Sequence, residues 1–328
     1  MTSSSINYKI KIKEIEWNEN LSITSSPDYL LSLSNNFGWL SDENETLFIP
    51  FFIKSFFSIK IMYFEDDVDS LKNNEISREE KICFLNDIVK FIKGEMKVDL
   101  ISQPPAHAVF SGVPKGVIYA PFGSYRIDLL KTVDELWSNV HTKHRNVIRN
   151  AQKNNVEIKS GIEYLPIAVD MVSKTLIRSK LSGINFNYIQ NLAHKLEGQL
   201  VPYVSVYNDN IQGVAIYIYS KKRAYYVWGG SKPKPFLGSV NLLHWTAIQA
   251  FKNEGVKCYD FVGGRIKPKV GSKLESIQRF KNRFGGDFYK GYLWKYPITL
   301  KSYLFIYGLK FYYILKGRSY KDIIDQEK

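Results

Sequence analysis

Three pairs of glycines mark the part of this sequence where chemistry is expected. They stand at Gly229–Gly230, Gly263–Gly264 and Gly285–Gly286, within residues 225–286. The first two pairs end apolar segments that are typical of buried strands, and a glycine at such an end lets another group approach the backbone closely. We therefore expect two splayed strands that expose main-chain groups to a ligand, in the active-site half of an enzyme.

A short basic loop lies between these two strands and leads into an apolar helix expected over residues 241–253. The main-chain amides and the helix dipole at such an N-terminus attract a pyrophosphate group. The residues that we expect to bind it are Lys232, Lys234, Gly238, Ser239 and Asn241. A flexible basic turn without a ligand is the alternative, and both interpretations stay open.

Asp260 lies inside the second apolar strand. An unpaired carboxylate is unfavourable there, so the residue must have a partner or a catalytic role. We favour a structural anchor for an arginine or a main-chain amide, and a general base acting through water is the alternative. No Ser/His/Asp or Cys/His arrangement is legible, so a covalent enzyme intermediate is not expected.

A basic helix is predicted ahead of this region. Thr132 and Glu135 form a capping box, and an apolar stripe then continues to residue 154. Arg145, Arg149 and Lys153 recur at a spacing of four residues on this helix. Like charges at that spacing repel one another, which favours an anionic or carbonyl-rich group beside them. A solvated helix face is the alternative.

The remaining pattern predicts a mixed α/β chain. In the first 125 residues we expect a strand over 9–13, two strands within 46–64 that separate near Lys54–Ser55, and a helix over 79–93. Further along we expect a strand over 156–160, helices over 167–177 and 188–196, an antiparallel three-stranded meander over 201–230, and a strand pair near 288–294.

Composition limits the class of protein. The 328 residues are 45% apolar and fit two folded domains, which we place at 1–128 and 129–298, followed by a tail at 299–328. A net charge of +13 favours an anionic partner, which is nucleic acid, a phosphate-bearing cofactor or an acidic membrane surface. The N-terminus lacks the apolar stretch of a signal peptide, so a cytoplasmic location is expected.

No metal site is expected from the sequence. Cys83 and Cys258 are the two cysteines, and their separation excludes a CxxC pair. His141, His144 and His244 lack metal-ligand spacing with acids or cysteines. His244 stands in the apolar helix, where a core histidine with satisfied hydrogen bonds is more common than a catalyst.

Residues 130–297 resemble the FemAB-like branch of the GNAT acyltransferase superfamily, which includes enzymes that add amino acids to peptidoglycan precursors. The resemblance rests on the order and spacing of several short motifs. They are Leu136–Trp137, residues 143–151, residues 241–250, residues 259–264, Arg279-Phe280-Lys281 and Phe284-Gly285-Gly286. The family implies tandem GNAT-like domains with mixed, mostly antiparallel sheets, of which the N-terminal one is degenerate.

The resemblance implies direct transfer of an acyl or aminoacyl group from acyl-CoA or aminoacyl-tRNA to a primary amine. The acceptor would be a cell-envelope precursor, either an amino sugar or a peptidoglycan stem peptide. No Gly-x-Gly phosphate loop is present, and the region 162–200 is too short for the long helical hairpin of many tRNA-dependent members. Acyl-CoA is favoured weakly, because charged tRNA would need a broader basic arm.

The family pattern also implies site residues. Lys281, of the Phe-Lys pair, would bind the carrier's phosphate or stabilise the carbonyl oxygen, and a surface lysine is the alternative. Arg279, Phe280 and Arg283 would assist donor binding. Residues implied for the acceptor are Lys143, Arg145, Arg149, Tyr226 and Trp228. For the two aromatic residues, which alternate along one strand, core packing is the favoured alternative.

Three questions stay open at this point. A nucleic-acid-binding protein without catalytic activity would share the positive charge and the aromatic residues near basic ones. A catalytically inactive scaffold is a further alternative. Residues 300–318, rich in aromatic residues and leucine and carrying Lys301, Lys310, Lys316 and Arg318, would suit a helix on the inner face of a membrane or a helix docked on the second domain.

Overall fold

The computed structural model describes residues 7–72, 74–316 and 322–327. The chain forms two compact units, of which the first comprises residues 1–123 with 290–328 and the second residues 124–289. The domain boundaries placed from the sequence at residues 128 and 298 remain predictions. Among the described helices, none has both the length and the apolar character needed to cross a bilayer.

Thirteen strands and ten helices are found in the described residues. Up to residue 128 they are β1 (Ile10–Lys13), α1 (Pro27–Leu33), β2 (Phe37–Asp42), β3 (Leu47–Phe56), β4 (Ile59–Phe64), β5 (Asp69–Ser70), α2 (Arg78–Glu95), β6 (Leu100–Ile101) and β7 (Ile118–Asp128). Then follow α3 (Val133–Asn139), α4 (Thr142–Lys153), β8 (Glu157–Ser160), α5 (Leu165–Arg178), α6 (Phe186–Lys195), β9 (Leu200–Tyr207), β10 (Asn210–Tyr219), β11 (Ala224–Ser231), α7 (Ser239–Asn253), β12 (Cys258–Asp260), α8 (Lys273–Asn282), β13 (Asp287–Pro297), α9 (Leu300–Leu315) and α10 (Ile323–Glu327).

The sheet of the first unit has the order β1-β2-β3-β4-β6-β13. Strands β2, β3 and β4 form an antiparallel meander, β6 lies parallel to β4, and β13 pairs antiparallel with β6. Helix α2 begins with a capping box at Ser77 and Glu80 and buries Phe84, Leu85 and Ile88 against this sheet. Burial of that apolar stripe stabilises the unit.

The sheet of the second unit has the order β7-β12-β11-β10-β9-β8. Strands β9, β10 and β11 form the predicted antiparallel meander, β12 lies parallel to β11, and β7 pairs antiparallel with β12. Helix α7 connects β11 to β12 and buries Leu243, Ile248 and Phe251 in the core. A parallel pair needs such a crossover, which explains why an apolar helix separates the two strands.

The two units repeat one topology. In each, a three-stranded meander is followed by a helix and by a strand parallel to the third meander strand, and one further strand pairs antiparallel with that parallel strand. In the second unit this further strand is β7, which precedes the meander in the chain. In the first unit it is β13, which comes after residue 286. The predicted mixed α/β fold of tandem, mostly antiparallel units is therefore confirmed.

One predicted helix is two helices. The capping box at Thr132 and Glu135 is present, but it begins the short helix α3, which ends at Asn139. Val140 is extended, with ψ 127°, and His141 caps the next helix by accepting a hydrogen bond from the main-chain amide of Lys143 at 3.1 Å. The continuous stripe predicted to residue 154 is wrong here, since an apolar pattern continues across a break when both helices pack on one core.

Two predicted strand boundaries are also wrong. Lys54 and Ser55 belong to β3, and the turn lies at residues 57–58. The polarity of those two residues marks the exposed end of a strand that has left the core. The strand pair predicted near residues 288–294 is the single strand β13, in which a Cβ at Gly291 would lie 2.3 Å from the main-chain oxygen of Phe110.

Candidate active site

Strands β11 and β12 splay apart after a short parallel contact. They pair at Ala224↔Tyr259 and Tyr225↔Asp260, after which β11 continues to Ser231 and the other chain segment leaves the sheet. The chain turns away from β11 at Val262 and Gly263, whose φ angles are 51° and 73°, in the left-handed region. In residues 124–289, all of which are described, no other strand covers that edge of β11. The splay predicted from the glycine pairs is present.

A β-bulge lies beside the splay. The register between β10 and β11 shifts so that Ile216 faces Trp228 and Tyr217 faces Tyr226, which leaves Val227 as the extra residue. The predicted alternation of Tyr226 and Trp228 is interrupted, because a bulge inserts one residue between them. Both residues are half-buried. Tyr226 packs against the core cluster, and burial raises its pKa to about 12.

Protein atoms occupy the space around two of the glycine pairs. A Cβ at Gly229 would meet the hydroxyl of Tyr226, and one at Gly230 would lie 2.7 Å from the main-chain oxygen of Met171. Cβ atoms at Gly285 and Gly286 would lie 2.4 and 2.6 Å from main-chain oxygens of Asn139 and Arg126. Close approach by the chain itself thus explains these glycines, where the sequence suggested a ligand.

Asp260 is fully buried and fully partnered. Its carboxylate accepts hydrogen bonds from the Ser124 hydroxyl, from Arg126 Nε at 2.9 Å and from the Val262 main-chain amide at 2.8 Å, and Arg223 lies at 3.9 Å. Burial alone would raise the pKa of this carboxyl, but the two guanidinium groups and the hydrogen bonds lower it. An ionised carboxylate enclosed in this way is an anchor joining β7 to the turn after β12.

Lys281 inserts its side chain under the same turn. It is 8% exposed, and its ammonium donates hydrogen bonds to the main-chain oxygens of Val262 and of Gly263, the latter at 2.8 Å. Burial lowers the pKa of Lys281 to about 8, and the negative charge of Asp260 opposes that shift. An ammonium has three donors, so one remains for another acceptor.

A buried polar network lies behind the splay; the core position of His244 was predicted from the sequence, whereas its two tyrosine partners were not. The hydroxyls of Tyr217 and Tyr259 are 2.9 Å apart, and His244 Nδ1 lies 3.0 and 2.8 Å from them. Burial, with a smaller effect of the Lys281 charge, lowers the pKa of His244 to about 3. Burial raises the pKa of both tyrosines well above 10. His244 is therefore neutral and held in the core.

The basic loop before α7 is held at both ends by hydrogen bonds. Gln212 accepts from the main-chain amides of Lys232 at 3.0 Å and Phe236 at 3.1 Å, through its main chain and side chain respectively. The Asn150 side chain donates to the main-chain oxygen of Leu237 at 3.1 Å. The loop therefore has a defined conformation. Neither Gln212 nor Asn150 carried a signal in the sequence, because both lie far from the loop along the chain.

Helix α7 begins at this loop without a side-chain cap. Its N-cap, Gly238, has φ 91°, and a Cβ there would lie 1.9 Å from the main-chain oxygen of Val147. Ser239 is buried and donates to a loop carbonyl at 2.8 Å, Lys234 is exposed, and Asn241 is half-buried. The Ser239 main-chain amide donates to the Phe236 carbonyl at 3.1 Å, but no cap side chain accepts from the amides of this turn, so the positive end of the helix can attract an anion.

The basic residues of α4 have different surroundings. Arg145 donates to main-chain oxygens at the C-terminus of α3, including that of Ser138 at 2.7 Å, so its charge stabilises the break between the helices. Arg149 is exposed and lies 5.4 Å from the ring centre of Trp137. Lys143 is exposed. Lys143, Arg149 and Lys153 project into solvent.

Helix α8 is attached to α4 through an aromatic cluster. The Phe280 ring lies 5.2 Å from both His144 and Phe284, and His144 Nε2 lies 3.1 Å from the main-chain oxygen of Phe280, so this nitrogen carries the proton and donates. Burial is the main cause that lowers the pKa of His144 to about 4. Arg279 is exposed and Arg283 partly exposed on the helix, while Phe280 and Lys281 point inward.

No metal centre is formed by the described part of the chain. Within residues 7–72, 74–316 and 322–327, no group of three histidine, cysteine, aspartate or glutamate side chains is placed to hold a metal ion. Cys83 and Cys258 are both free thiols, partly buried in different units.

Comparison with known proteins identifies the class of fold. A family model described as an acetyltransferase (GNAT) domain matches residues 139–270. Among solved structures, FemX superposes with a TM-score of 0.66 at 13% identity, covering 88% of this chain and 94% of that one. Residues 139–270, within the second unit, therefore match a GNAT domain, and the chain shares the fold of FemX. The GNAT fold predicted from the sequence is confirmed.

Two further solved structures share this fold. The C-terminal domain of a putative lysylphosphatidylglycerol synthetase from Agrobacterium fabrum has a TM-score of 0.50 at 16% identity and covers 86% of this chain and 91% of that one. L-PGS from Bacillus licheniformis has a TM-score of 0.50 at 12% identity, with coverages of 85% and 90%. No curated protein sequence matches the chain.

Proposed function

We propose that this protein is a FemAB-like N-acyltransferase that transfers an acyl or aminoacyl group directly to a primary amine of a cell-envelope precursor. The observation that carries the proposal is the splay of β11 and β12 in a GNAT domain, with the buried Lys281 fastening the turn that opens it. In this arrangement, main-chain groups of β11 beyond Tyr225 have no strand partner at the splay among the described residues, and the ammonium of Lys281 is buried under the turn that opens it.

The chemistry asks little of the protein beyond positioning. The amine nitrogen attacks the carbonyl carbon, a C–N bond forms, the C–S or C–O bond to the carrier breaks, and the amine's proton passes to the leaving group through water. Main-chain amides of β11 near the bulge would polarise the carbonyl. The third donor of Lys281 would stabilise its developing negative charge. We assign Asp260 the role of anchor, since its oxygens already have partners.

The donor is proposed to lie along the loop before α7. The uncapped helix start and the exposed Lys234 would meet its phosphates, together with Lys232, Gly238, Ser239 and Asn241. Arg279 and Arg283 on α8 would assist them. GNAT enzymes generally use acyl-CoA, which favours that donor, and aminoacyl-tRNA is the alternative that a FemX-like fold suggests.

The acceptor is proposed to approach from the side of α4. Arg149 and Lys143 project into solvent there, and Trp228 is partly exposed on β11. Arg145 and Tyr226 would contribute through the local structure that they hold. One structural neighbour is named for lysylphosphatidylglycerol, a lipid that carries an aminoacyl group. A lipid-linked acceptor would place this protein in the cytoplasm at the inner face of a membrane, with α9 as the contact.

A mass-spectrometric screen tests the proposal. The full chain would be offered acyl-CoAs and charged tRNAs, each with UDP-linked amino sugars and peptidoglycan precursors, and Lys281→Ala would serve as the control. We expect one acceptor to gain the mass of an acyl or aminoacyl group with the wild type alone. No product from any pair, together with steeply salt-dependent binding of generic DNA or RNA, would support the nucleic-acid-binding alternative.

A further inference from the structure

Helix α9 carries a continuous apolar surface that the rest of the described first unit does not cover. The large side chains on this side are each more than half exposed, and Leu304 is 72% exposed. They are Leu300, Leu304, Tyr307, Phe311, Ile314 and Leu315. At about 100° per residue, these six span roughly 100° of the helix circumference. We call them the α9 stripe.

The opposite side of α9 fixes its orientation. Phe305 and Ile306 pack on a cluster formed by Ile59, Ile61 and Leu100 of the same unit. Ser302 is buried and donates to the main-chain oxygen of Thr299 at 2.7 Å. The packing partners of the helix lie in the first unit instead of the second domain considered from the sequence. The exposure of the stripe is therefore a consequence of fixed packing.

A second exposed apolar element lies at the turn between β3 and β4, next to the packed side of α9. Phe56 ends β3 and lies 5.7 Å from the ring of Phe305 on α9. The next residue, Phe57, has φ 51° and is 92% exposed. A bulky side chain in the left-handed region is strained, and an aromatic ring with that exposure gains nothing from burial in the unit. The α9 stripe is itself larger than scattered exposed residues would give, and these two rings add a further exposed apolar site in the same unit.

Positive charge borders this surface. Lys301 lies just beyond one margin of the stripe on the helix circumference, and Lys316 is exposed at its end, while Lys310 beyond the other margin pairs with Asp325. Lysines beside an apolar face extend their ammonium groups towards anionic headgroups while their methylenes cover apolar surface. Arg318, also expected to contribute, lies outside the described residues.

The charges favour a membrane over a second copy of the chain. The acids near α9, Asp322 and Asp325, already pair with Lys295, which is buried, and Asp325 also pairs with Lys310 at 2.9 Å. A symmetric dimer through the stripe would bring the lysine margins of both copies together, which is unfavourable. An anionic bilayer surface is complementary to both the apolar stripe and its basic margins.

We propose that the α9 stripe together with Phe56 and Phe57 binds the surface of an anionic lipid bilayer, lying within its interface. The inference deepens the membrane contact of the proposed function and does not depend on the acyl-transfer chemistry. It names the lipid class and adds the β3–β4 turn as a second insertion point.

Vesicle co-sedimentation with the full chain tests this. We expect binding to phosphatidylcholine vesicles that contain phosphatidylglycerol, weaker binding to pure phosphatidylcholine, and a decrease at high salt. Leu304→Glu should lower the partition coefficient at least tenfold, and Phe57→Ser should also lower it. Leu130→Glu is the matched control, because Leu130 is likewise 72% exposed but lies in the second unit.

The outcomes are separable. Equal binding of the wild type and Leu304→Glu, or no binding to anionic vesicles, would overturn the proposal. A dimer in analytical ultracentrifugation that Leu304→Glu dissociates, without vesicle binding, would make a second copy the occupant. Acyl transfer to a soluble acceptor should be unchanged in Leu304→Glu, so absence of transfer in both proteins would count against the proposed function and leave the vesicle result standing.

Discussion

Acidification from pH 7 to pH 5 is expected to destabilise the second unit by about 4 kcal/mol. The cause is a pair of histidines that are buried in the neutral form. Burial lowers the pKa of His144 to about 4 and that of His244 to about 3, from an ordinary value of 6.5. His144 Nε2 donates to the Phe280 carbonyl, a bond that opposes the shift in the His144 pKa, and His244 Nδ1 lies within hydrogen-bond distance of the two tyrosine hydroxyls.

The sign follows from proton uptake. Between the folded and the unfolded pKa, the unfolded chain binds a proton that the folded chain does not, so the free energy of unfolding falls as pH decreases below 6.5. Each histidine contributes about 2 kcal/mol between pH 7 and pH 5. The sum is a large fraction of the 5–15 kcal/mol typical of a folded protein.

Urea denaturation followed by tryptophan fluorescence, repeated from pH 7 to pH 5, measures this effect. The slope of the unfolding free energy near pH 5 should correspond to nearly two protons. His144→Gln keeps a side-chain donor for Phe280 and should remove about one proton from the slope. His194→Gln, at an exposed position on α6, should leave it unchanged. A stability that is flat over this range, or a slope that His144→Gln does not alter, would refute the reasoning.

Three further predictions concern the site. Lys281→Met should abolish transfer and leave the melting temperature within a few degrees of wild type. The substitution removes a buried ammonium, whose burial costs about 3 kcal/mol as judged from its lowered pKa, and this gain offsets the lost hydrogen bonds. Retained transfer would exclude a role for Lys281 in the reaction. Gly238→Ala should lower the free energy of unfolding, measured with denaturant, by more than about 2 kcal/mol, the size of a core overpacking effect, because its Cβ would lie 1.9 Å from a main-chain oxygen. Gly255→Ala is the control: its φ is 79° and its Cβ would meet open space, so the left-handed conformation alone should lower the free energy of unfolding by about 1 kcal/mol. Equal costs would contradict the close contact. Arg149→Ala should raise the acceptor KM without changing the melting temperature, while Arg145→Ala should raise the KM and also lower the melting temperature, because Arg145 holds the carbonyls that end α3. An unchanged KM in Arg149→Ala would leave a solvated helix face.

The sequence by itself determined the local elements and the class of fold. The capping box at Thr132, the meander over residues 201–230 and the apolar helix α7 each depend on contacts between residues close along the chain. Such contacts leave a periodic or capping pattern. The need for a partner at Asp260 was also predictable, because burial of a bare carboxylate is unfavourable whatever surrounds it.

Only the tertiary structure decided which groups meet. Asp260 is held by Ser124 and Arg126, more than 130 residues away, and Lys281 reaches main-chain oxygens of the turn at Val262. The spacing of Arg145 suggested a ligand, but its guanidinium donates to a main-chain oxygen at the end of α3. Contacts of this kind have no fixed sequence separation, and main-chain oxygens carry no residue identity. The physical reason is that loop closure and packing select these partners, so no pattern along the chain announces them.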